Sequence, residues 1–162
     1  MKIVIASDKS GFEVKEKIKA YLLSKEWDLE DVGLTDGEQY MPFYTAVDNL
    51  CTKMQAGEAQ RGILICGSGT GVCIAANKYE GIYAVACESV YTARLCRVIN
   101  DANVITMGAQ VVAPEKAYQM CDVFLSTEHA EGMAPERAAY IKKLNEDYME
   151  FLETKKQGGR LL

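Results

Sequence analysis

The chain has 162 residues, 49% of them hydrophobic and 25% charged, and carries a formal net charge of −5 from 23 acidic and 18 basic side chains. That apolar fraction suits one packed core and excludes disorder, which goes with few apolar residues and unbalanced charge. No uncharged apolar run nears the roughly 20 residues of a membrane span, and no basic stripe is interleaved with aromatics, so neither a membrane nor a nucleic acid is expected as partner.

The opening run from Ile3 to Ala6 stops at Asp8. It is shorter than the roughly 7–15 apolar residues at the core of a secretion signal. The six cysteines, Cys51, Cys66, Cys73, Cys87, Cys96 and Cys121, form no C-x-x-C pair, and several sit in apolar runs as buried free thiols do. A cytoplasmic, reducing setting follows as the expectation. With His129 as the single histidine, no cysteine or histidine pair has zinc spacing, and no metal or other cofactor is expected.

In chain order, Lys2–Ser7 reads as a buried strand and Gly11–Glu26 as a helix with Phe12, Val14, Ile18, Tyr21 and Leu22 loosely on one face. Trp27–Val32 reads as a short strand closed by Gly33, and Leu34–Gln39 as a polar loop. Pro42 opens a helix reaching about Ala56. Arg61–Cys66 is the clearest buried strand. Glycines follow at 67, 69 and 71, and a short helix runs to about Tyr79. Ile82–Cys87 is a strand, Ser89–Ile99 a helix, Asn103–Met107 a strand and Pro114–Ser126 a helix. A last amphipathic helix, Pro135 to Thr154, precedes the tail. It can pack on its own domain or across another subunit.

This alternation gives an α/β fold. The expectation is a doubly wound, Rossmann-like three-layer sandwich with a five-stranded parallel sheet and one extra C-terminal helix. No linker or repeat interrupts it, so a single domain is expected over 1–156, with a flexible tail at 157–162. Ligands of such sheets bind beyond the carboxyl ends of the strands. Attention therefore falls on five segments: Asp8-Lys9-Ser10-Gly11, Tyr40–Tyr44, Cys66–Gly71, Cys87-Glu88-Ser89 and Gly108–Val112. Asn100-Asp101 falls at the opposite side, unless it reaches a neighbouring subunit's site.

Cys66-Gly67-Ser68-Gly69-Thr70-Gly71 is the most informative stretch. Alternating glycines let the backbone turn sharply and aim several N–H groups at one point, and a helix begins directly after. The loop suits a phosphate or a developing oxyanion, with Ser68 and Thr70 as hydroxyl donors. It lacks the Gly-Lys-Ser/Thr of a Walker loop and the G-x-G-x-x-G of a dinucleotide loop. A tight turn with no ligand is the alternative. Cys66 ends the strand ahead of those donors, where helix-end N–H groups stabilise a thiolate. Nucleophilic use would need a histidine partner, and His129 is far away in sequence, on an expected exposed loop. Proton abstraction beside a carbonyl fits better.

These residues resemble a known family, the sugar-phosphate isomerases comprising ribose-5-phosphate isomerase type B and the subunits of galactose-6-phosphate isomerase. The resemblance runs from Lys2 to about Arg137. It is carried by Ile5-Ala6-Ser7-Asp8-Lys9-Ser10-Gly11, Gly62-Ile63-Leu64-Ile65-Cys66-Gly67-Ser68-Gly69-Thr70-Gly71, Ile74-Ala75-Ala76-Asn77-Lys78 and Asn100-Asp101-Ala102-Asn103-Val104. The resemblance implies aldose–ketose interconversion through a cis-enediolate. Cys66 would move the proton between C1 and C2, and Ser68 would handle protons on the oxygens. Gly67, Gly69, Thr70 and Gly71 would supply N–H groups to the enediolate. Asp8, Asn100 and Tyr44 would contact the sugar, and Lys9 and Arg137 the anion. A homodimer or homotetramer with shared sites is implied.

Three departures stand out. Lys9 replaces the histidine of ribose-type members, as in one galactose-type subunit. Ile99 stands where the ring-opening histidine falls. Gln110 and Met133-Ala134-Pro135 replace residues that bring cations. Three functions follow as expectations: an aldose–ketose isomerase of a sugar phosphate with a changed substrate, for which open-chain sugar phosphates such as four-carbon ones are attractive; a subunit completed by a paralogous chain; and a non-catalytic sugar-phosphate-binding protein, against which the intact glycine loop argues.

Overall fold

The computed structural model describes residues 1–157. Strands β1 (Lys2–Ser7), β2 (Asp28–Asp31), β3 (Arg61–Cys66), β4 (Ala84–Ala86) and β5 (Val104–Gly108) alternate with six helices. These are α1 (Phe12–Ser24), α2 (Phe43–Gln55), α3 (Thr70–Ala76), α4 (Val90–Asn100), α5 (Pro114–Ser126) and α6 (Pro135–Gln157). All five strands pair in parallel in the order β2-β1-β3-β5-β4. The expected doubly wound sheet and extra C-terminal helix are what the chain forms.

Successive side chains of a strand point to opposite faces. Ile3, Ile5, Ile63, Ile65, Ile105 and Met107 therefore pack with residues of α1, α4 and α5, such as Ile18, Leu22, Ala93, Cys96 and Phe124. Val4, Ala6, Leu64, Cys66 and Val104 pack on the other face with Ala46, Val47, Leu50, Val72 and Ala76 from α2 and α3. Burial on both faces explains why β1 and β3 are continuous apolar runs and not alternating ones.

The chain winds outward in one direction from β1 and in the other from β3, so strand order reverses between them. That reversal opens a crevice beyond their carboxyl ends. Gly11, at the entrance to α1, has no room for a side chain: a Cβ there would lie 2.5 Å from the Ile65 carbonyl oxygen. The β1 and β3 loops can close on one another only with glycine at this position.

Several elements are shorter than expected. The edge strands β2 and β4 shrink to four and three residues, which leaves little unpaired backbone at the sheet margins. Helix α3 stops at Ala76, not Tyr79, because the Asn77 side chain turns to β4. Its amide donates to the Ala84 carbonyl at 2.8 Å and its oxygen accepts from the Ala84 N–H at 2.9 Å.

Helix α6 continues past Thr154 to Gln157 and packs on its own chain. Asn145 donates to the Ile99 carbonyl at 3.0 Å, and Lys156 pairs with Glu80 at 2.8 Å. The expected tail thus starts inside the helix, and the rest of it, 158–162, lies outside the described residues. No described helix is long and apolar enough to cross a membrane.

Candidate active site

Cys66 closes β3 and is 6% exposed. The N–H of Gly69 donates to its Sγ at 3.1 Å. Gly69 adopts φ +80°, a conformation open to glycine at no steric cost. A Cβ there would sit 2.7 Å from the Gly108 nitrogen, and one on Gly108 would sit 2.6 Å from the Ser68 carbonyl. The two loops thus interlock through facing glycines.

Three further bonds fix them: Ala109 N–H to the Cys66 carbonyl at 2.8 Å, Gln110 N–H to the Gly67 carbonyl at 3.0 Å, and Thr106 Oγ1 to the Gly69 carbonyl at 2.7 Å. The hydroxyls of Ser68 and Thr70 lie 2.7 Å apart on the exposed rim. The result is a sulfur at the floor of a rigid loop with two hydroxyls at its mouth. Burial pushes the Cys51 thiol up to about 12 and raises Cys121 as well, so these two are packing residues and not acid–base groups.

The loop after β1 meets this loop. Asp8 caps the single 3-10 turn Lys9–Gly11, accepting from the Gly11 N–H at 3.0 Å. The Ser10 Cβ and the Gln110 amide lie 3.6 and 3.7 Å from where a Gly67 Cβ would be. Lys9 donates its ammonium to the Gly37 carbonyl, tying down the loop between β2 and α2. Phe43, unremarked in the sequence, approaches within 3.9 Å of where a Gly71 Cβ would stand, and the Tyr44 ring packs edge-on against it at 5.7 Å. Its position directly after Pro42, at a helix start facing the glycine loop, was the available signal.

The structure therefore gathers Asp8, Lys9, Tyr44, Cys66, Gly67, Ser68, Gly69, Thr70 and Gly71 at one end of the sheet. Asn100 and Arg137 are not among them. Asn100 ends α4 beside the amino end of the sheet, where Gly62 pairs with Val104. From Gly62 to Cys66 the strand spans about 13 Å at ~3.3 Å per residue. Arg137 is an exposed residue in the first turn of α6.

The loops that follow the five strands hold one cation, Lys9, against four carboxylates, those of Asp8, Asp36, Glu38 and Glu88. The side-chain charge at this end of a single protomer is net negative.

His129 corrects the sequence reading. It is 18% exposed, not an exposed loop histidine, and it is not remote from position 99. The amide nitrogen of Asn145 bridges the Ile99 carbonyl and the His129 Nε2, at 3.0 Å to each. The loop that carries His129 is stitched to the end of α4 by Ala130 N–H to the Val98 carbonyl at 2.9 Å and Arg97 Nε to the Thr127 carbonyl at 3.2 Å. Nothing in the local sequence around residue 129 announces a contact with α4.

The sequence profile described as Ribose/Galactose Isomerase matches residues 3–144. The 4-deoxy-4-sulfo-D-erythrose isomerase of Clostridium sp. (strain MSTE9) is 47% identical over 142 residues, covering 88% of this chain and 89% of that protein. The D-erythrulose-4-phosphate isomerase of Pectobacterium atrosepticum is 37% identical, over 82% of this chain and 87% of the relative. The crystal structure of a ribose 5-phosphate isomerase from Thermotoga maritima superposes with a TM-score of 0.77 at 38% identity, over 88% of this chain and 97% of the other. A profile match across most of the chain, over the sheet and the loops just described, settles the family: this chain belongs to the Ribose/Galactose Isomerase family and is an aldose–ketose isomerase.

Proposed function

We propose that the protein interconverts the aldose and ketose forms of an open-chain, four-carbon sugar with a terminal sulfonate, using Cys66 as base. The observation that carries the chemistry is the Cys66 sulfur, held at the carboxyl end of β3 by the Gly69 N–H within a loop of hydroxyls and backbone donors. The thiolate takes the C2 proton of the aldose, the C1–C2 bond gains double-bond character, and negative charge develops on O1. A cis-enediolate results, stabilised by preorganised N–H donors. The Ser68 hydroxyl, paired with Thr70 Oγ1, passes the proton of O2 to O1. The Cys66 thiol then returns its proton to C1, which leaves the ketose with no net change in atoms or electrons.

Two features support the substrate. Ile99 can neither accept nor donate a proton, so nothing at that position opens a sugar ring; a four-carbon sugar carrying its anion on C4 is already open. A phosphate monoester bears about −1.5 to −2 charge at neutral pH, whereas a sulfonate bears a single charge. One lysine among four carboxylates suits the smaller charge, and the Clostridium relative is named for such a sulfonate. Because Asn100 lies at the opposite end of the sheet from Cys66 in one protomer, the reading places the site between two copies of the chain. Six free cysteines are consistent with work in the reducing cytoplasm.

The test is kcat/KM for 4-deoxy-4-sulfo-D-erythrulose, D-erythrulose 4-phosphate and ribose 5-phosphate. The sulfonate is expected to lead the phosphate by about tenfold or more. The gap narrows as pH falls toward about 6, where phosphate loses its second charge. Ribose 5-phosphate should trail by roughly 10²–10⁴-fold, the usual worth of acid–base help. Equal turnover of all three would contradict the assignment.

A further inference from the structure

Away from the Cys66 loop, the molecule holds a cavity of about 890 Å³ whose wall includes Asn100, Asp101, His129, Asn145, Lys142 and Tyr148. Its acidic groups outnumber its one lysine, and amides, two tyrosine rings and aliphatic side chains make up most of the rest. That lining suits uncharged hydroxyl groups and not an anion. Within it, Asp101 and His129 form an unusual pair. Asp101 Oδ1 is engaged by the Arg97 guanidinium at 2.7 Å, while Oδ2 lies 3.9 Å from His129 Nδ1.

An Asn amide nitrogen can only donate, so Asn145 makes Nε2 of His129 an acceptor. The ring proton of the neutral imidazole then sits on Nδ1, facing Asp101. A separation of 3.9 Å is too long for a direct hydrogen bond. It is the right distance for one oxygen to sit between them, accepting from Nδ1–H and donating to Oδ2 at about 2.8 Å each.

The backbone on both sides is held in the left-handed region, with Asp101 at φ +51° and Ala130 at φ +61°. Asp101 is the left-handed C-cap that ends α4. Here the two turns carry the two members of the pair and set their spacing. Arg97 is buried, with its guanidinium also bonded to the Ala102 carbonyl at 2.6 Å, and it holds one oxygen of the half-exposed Asp101 carboxylate.

We infer that Asp101 and His129 form a hydroxyl-binding pair that contacts the sugar, presented beside Asn100 to the Cys66 loop of a second copy of the chain. This rests on the isomerase reading and on a site shared between copies. In a four-carbon substrate the C3 hydroxyl is the one oxygen that neither reacts at C1 or C2 nor bears the anion, and the pair is assigned to it. His129 thereby replaces nothing at position 99: it reads a hydroxyl and does not open a ring.

Because His129 is the single histidine of the chain, its ring gives one set of imidazole NMR signals in the intact oligomer. The experiment adds 4-deoxy-4-sulfo-D-erythrulose in deuterated solvent, following the His129 ring signals and deuterium entry into the sugar in the same sample. Exchange accompanied by a saturable shift of the His129 signals supports the pair. Exchange at full rate with unmoved His129 signals overturns it and leaves the isomerase standing. Neither exchange nor shift overturns both.

A second arm uses the 3-deoxy analogue of the substrate. His129→Ala should lower kcat/KM about tenfold or more on the full substrate, yet less than about twofold on the analogue. An equal loss on both would mean that His129 only supports the fold.

Discussion

Cys66 was legible in the sequence because two local signals coincide there: the end of an uninterrupted apolar strand and a glycine at every second position after it. Sequence spacing places the thiol at a βα junction, and the structure adds the Gly69 N–H at 3.1 Å. Cys66→Ser replaces the sulfur by a hydroxyl, a far weaker acid. Activity should fall by roughly 10²–10⁴-fold, the usual contribution of a positioned acid–base group, with thermal unfolding unchanged. Near-full activity in that variant would remove the thiolate mechanism.

Lys9 was legible as a cation but not as a tether, since no sequence spacing relates it to Gly37 across β2. Lys9→Ala removes the only cation of the strand-end loops and frees the loop that it ties. A lost charge-assisted contact is worth roughly 1.5–3 kcal/mol, so KM should rise about tenfold or more, with a smaller effect on kcat. Unchanged KM would place the anion elsewhere.

At the level of elements, periodicity located every strand and helix, and the errors gathered at their ends. β2, β4 and α3 stop early because side chains take over the backbone's hydrogen bonds or because an edge strand has one neighbour only, neither of which leaves a mark on hydrophobic spacing. The largest omission was a buried ionic group between α1 and β2. Lys15, fully buried, donates to Asp31 and to the Leu34 carbonyl at 2.6 Å, and Lys19 joins Asp31 at 2.8 Å. Lys15 is outside the apolar face that spacing gave to this helix, yet its ammonium is buried and reaches the end of β2.

Burial pushes the Asp31 carboxyl up, but hydrogen bonds from Lys15 and Lys19 outweigh this and hold it below the usual carboxylate range. A lowered folded value means that Asp31 stabilises the fold above the unfolded carboxylate value, about 3.9, and loses that contribution as pH falls below this and through the lowered folded value. Asp31→Asn leaves Lys15 with Glu16 at 2.7 Å as its remaining carboxylate and should cost about 1–3 kcal/mol at neutral pH. Denaturant unfolding should show the gap to wild type shrinking below about pH 4. A gap independent of pH would assign the loss to packing instead.

On the scale of the whole molecule, the parallel sheet and its reversal between β1 and β3 explain why residues distant in sequence, Asp8, Tyr44 and Ser68, share one crevice. The same topology sends Asn100 to the opposite end, so a site that uses both ends requires a second copy. Alternation of strands and helices made the sheet readable; the contact of His129 with α4 was not, because it depends on how the loop after α5 folds back across the molecule.

Residue 99 would act in that second copy's site. Ile99→His should raise turnover of ribose 5-phosphate by up to roughly 10²-fold while leaving the four-carbon sulfonate little changed, as expected if ring opening is the missing step. An equal gain on both substrates would show that the new histidine acts on the enolisation itself.

The most direct test of the account is solvent deuterium incorporation into 4-deoxy-4-sulfo-D-erythrulose by the purified protein. The prediction is one deuteron entering stereospecifically at C1 as the ketose equilibrates with the aldose, at a rate far above that for ribose 5-phosphate. Absence of exchange into the sulfonate, with rapid exchange into ribose 5-phosphate, would contradict it.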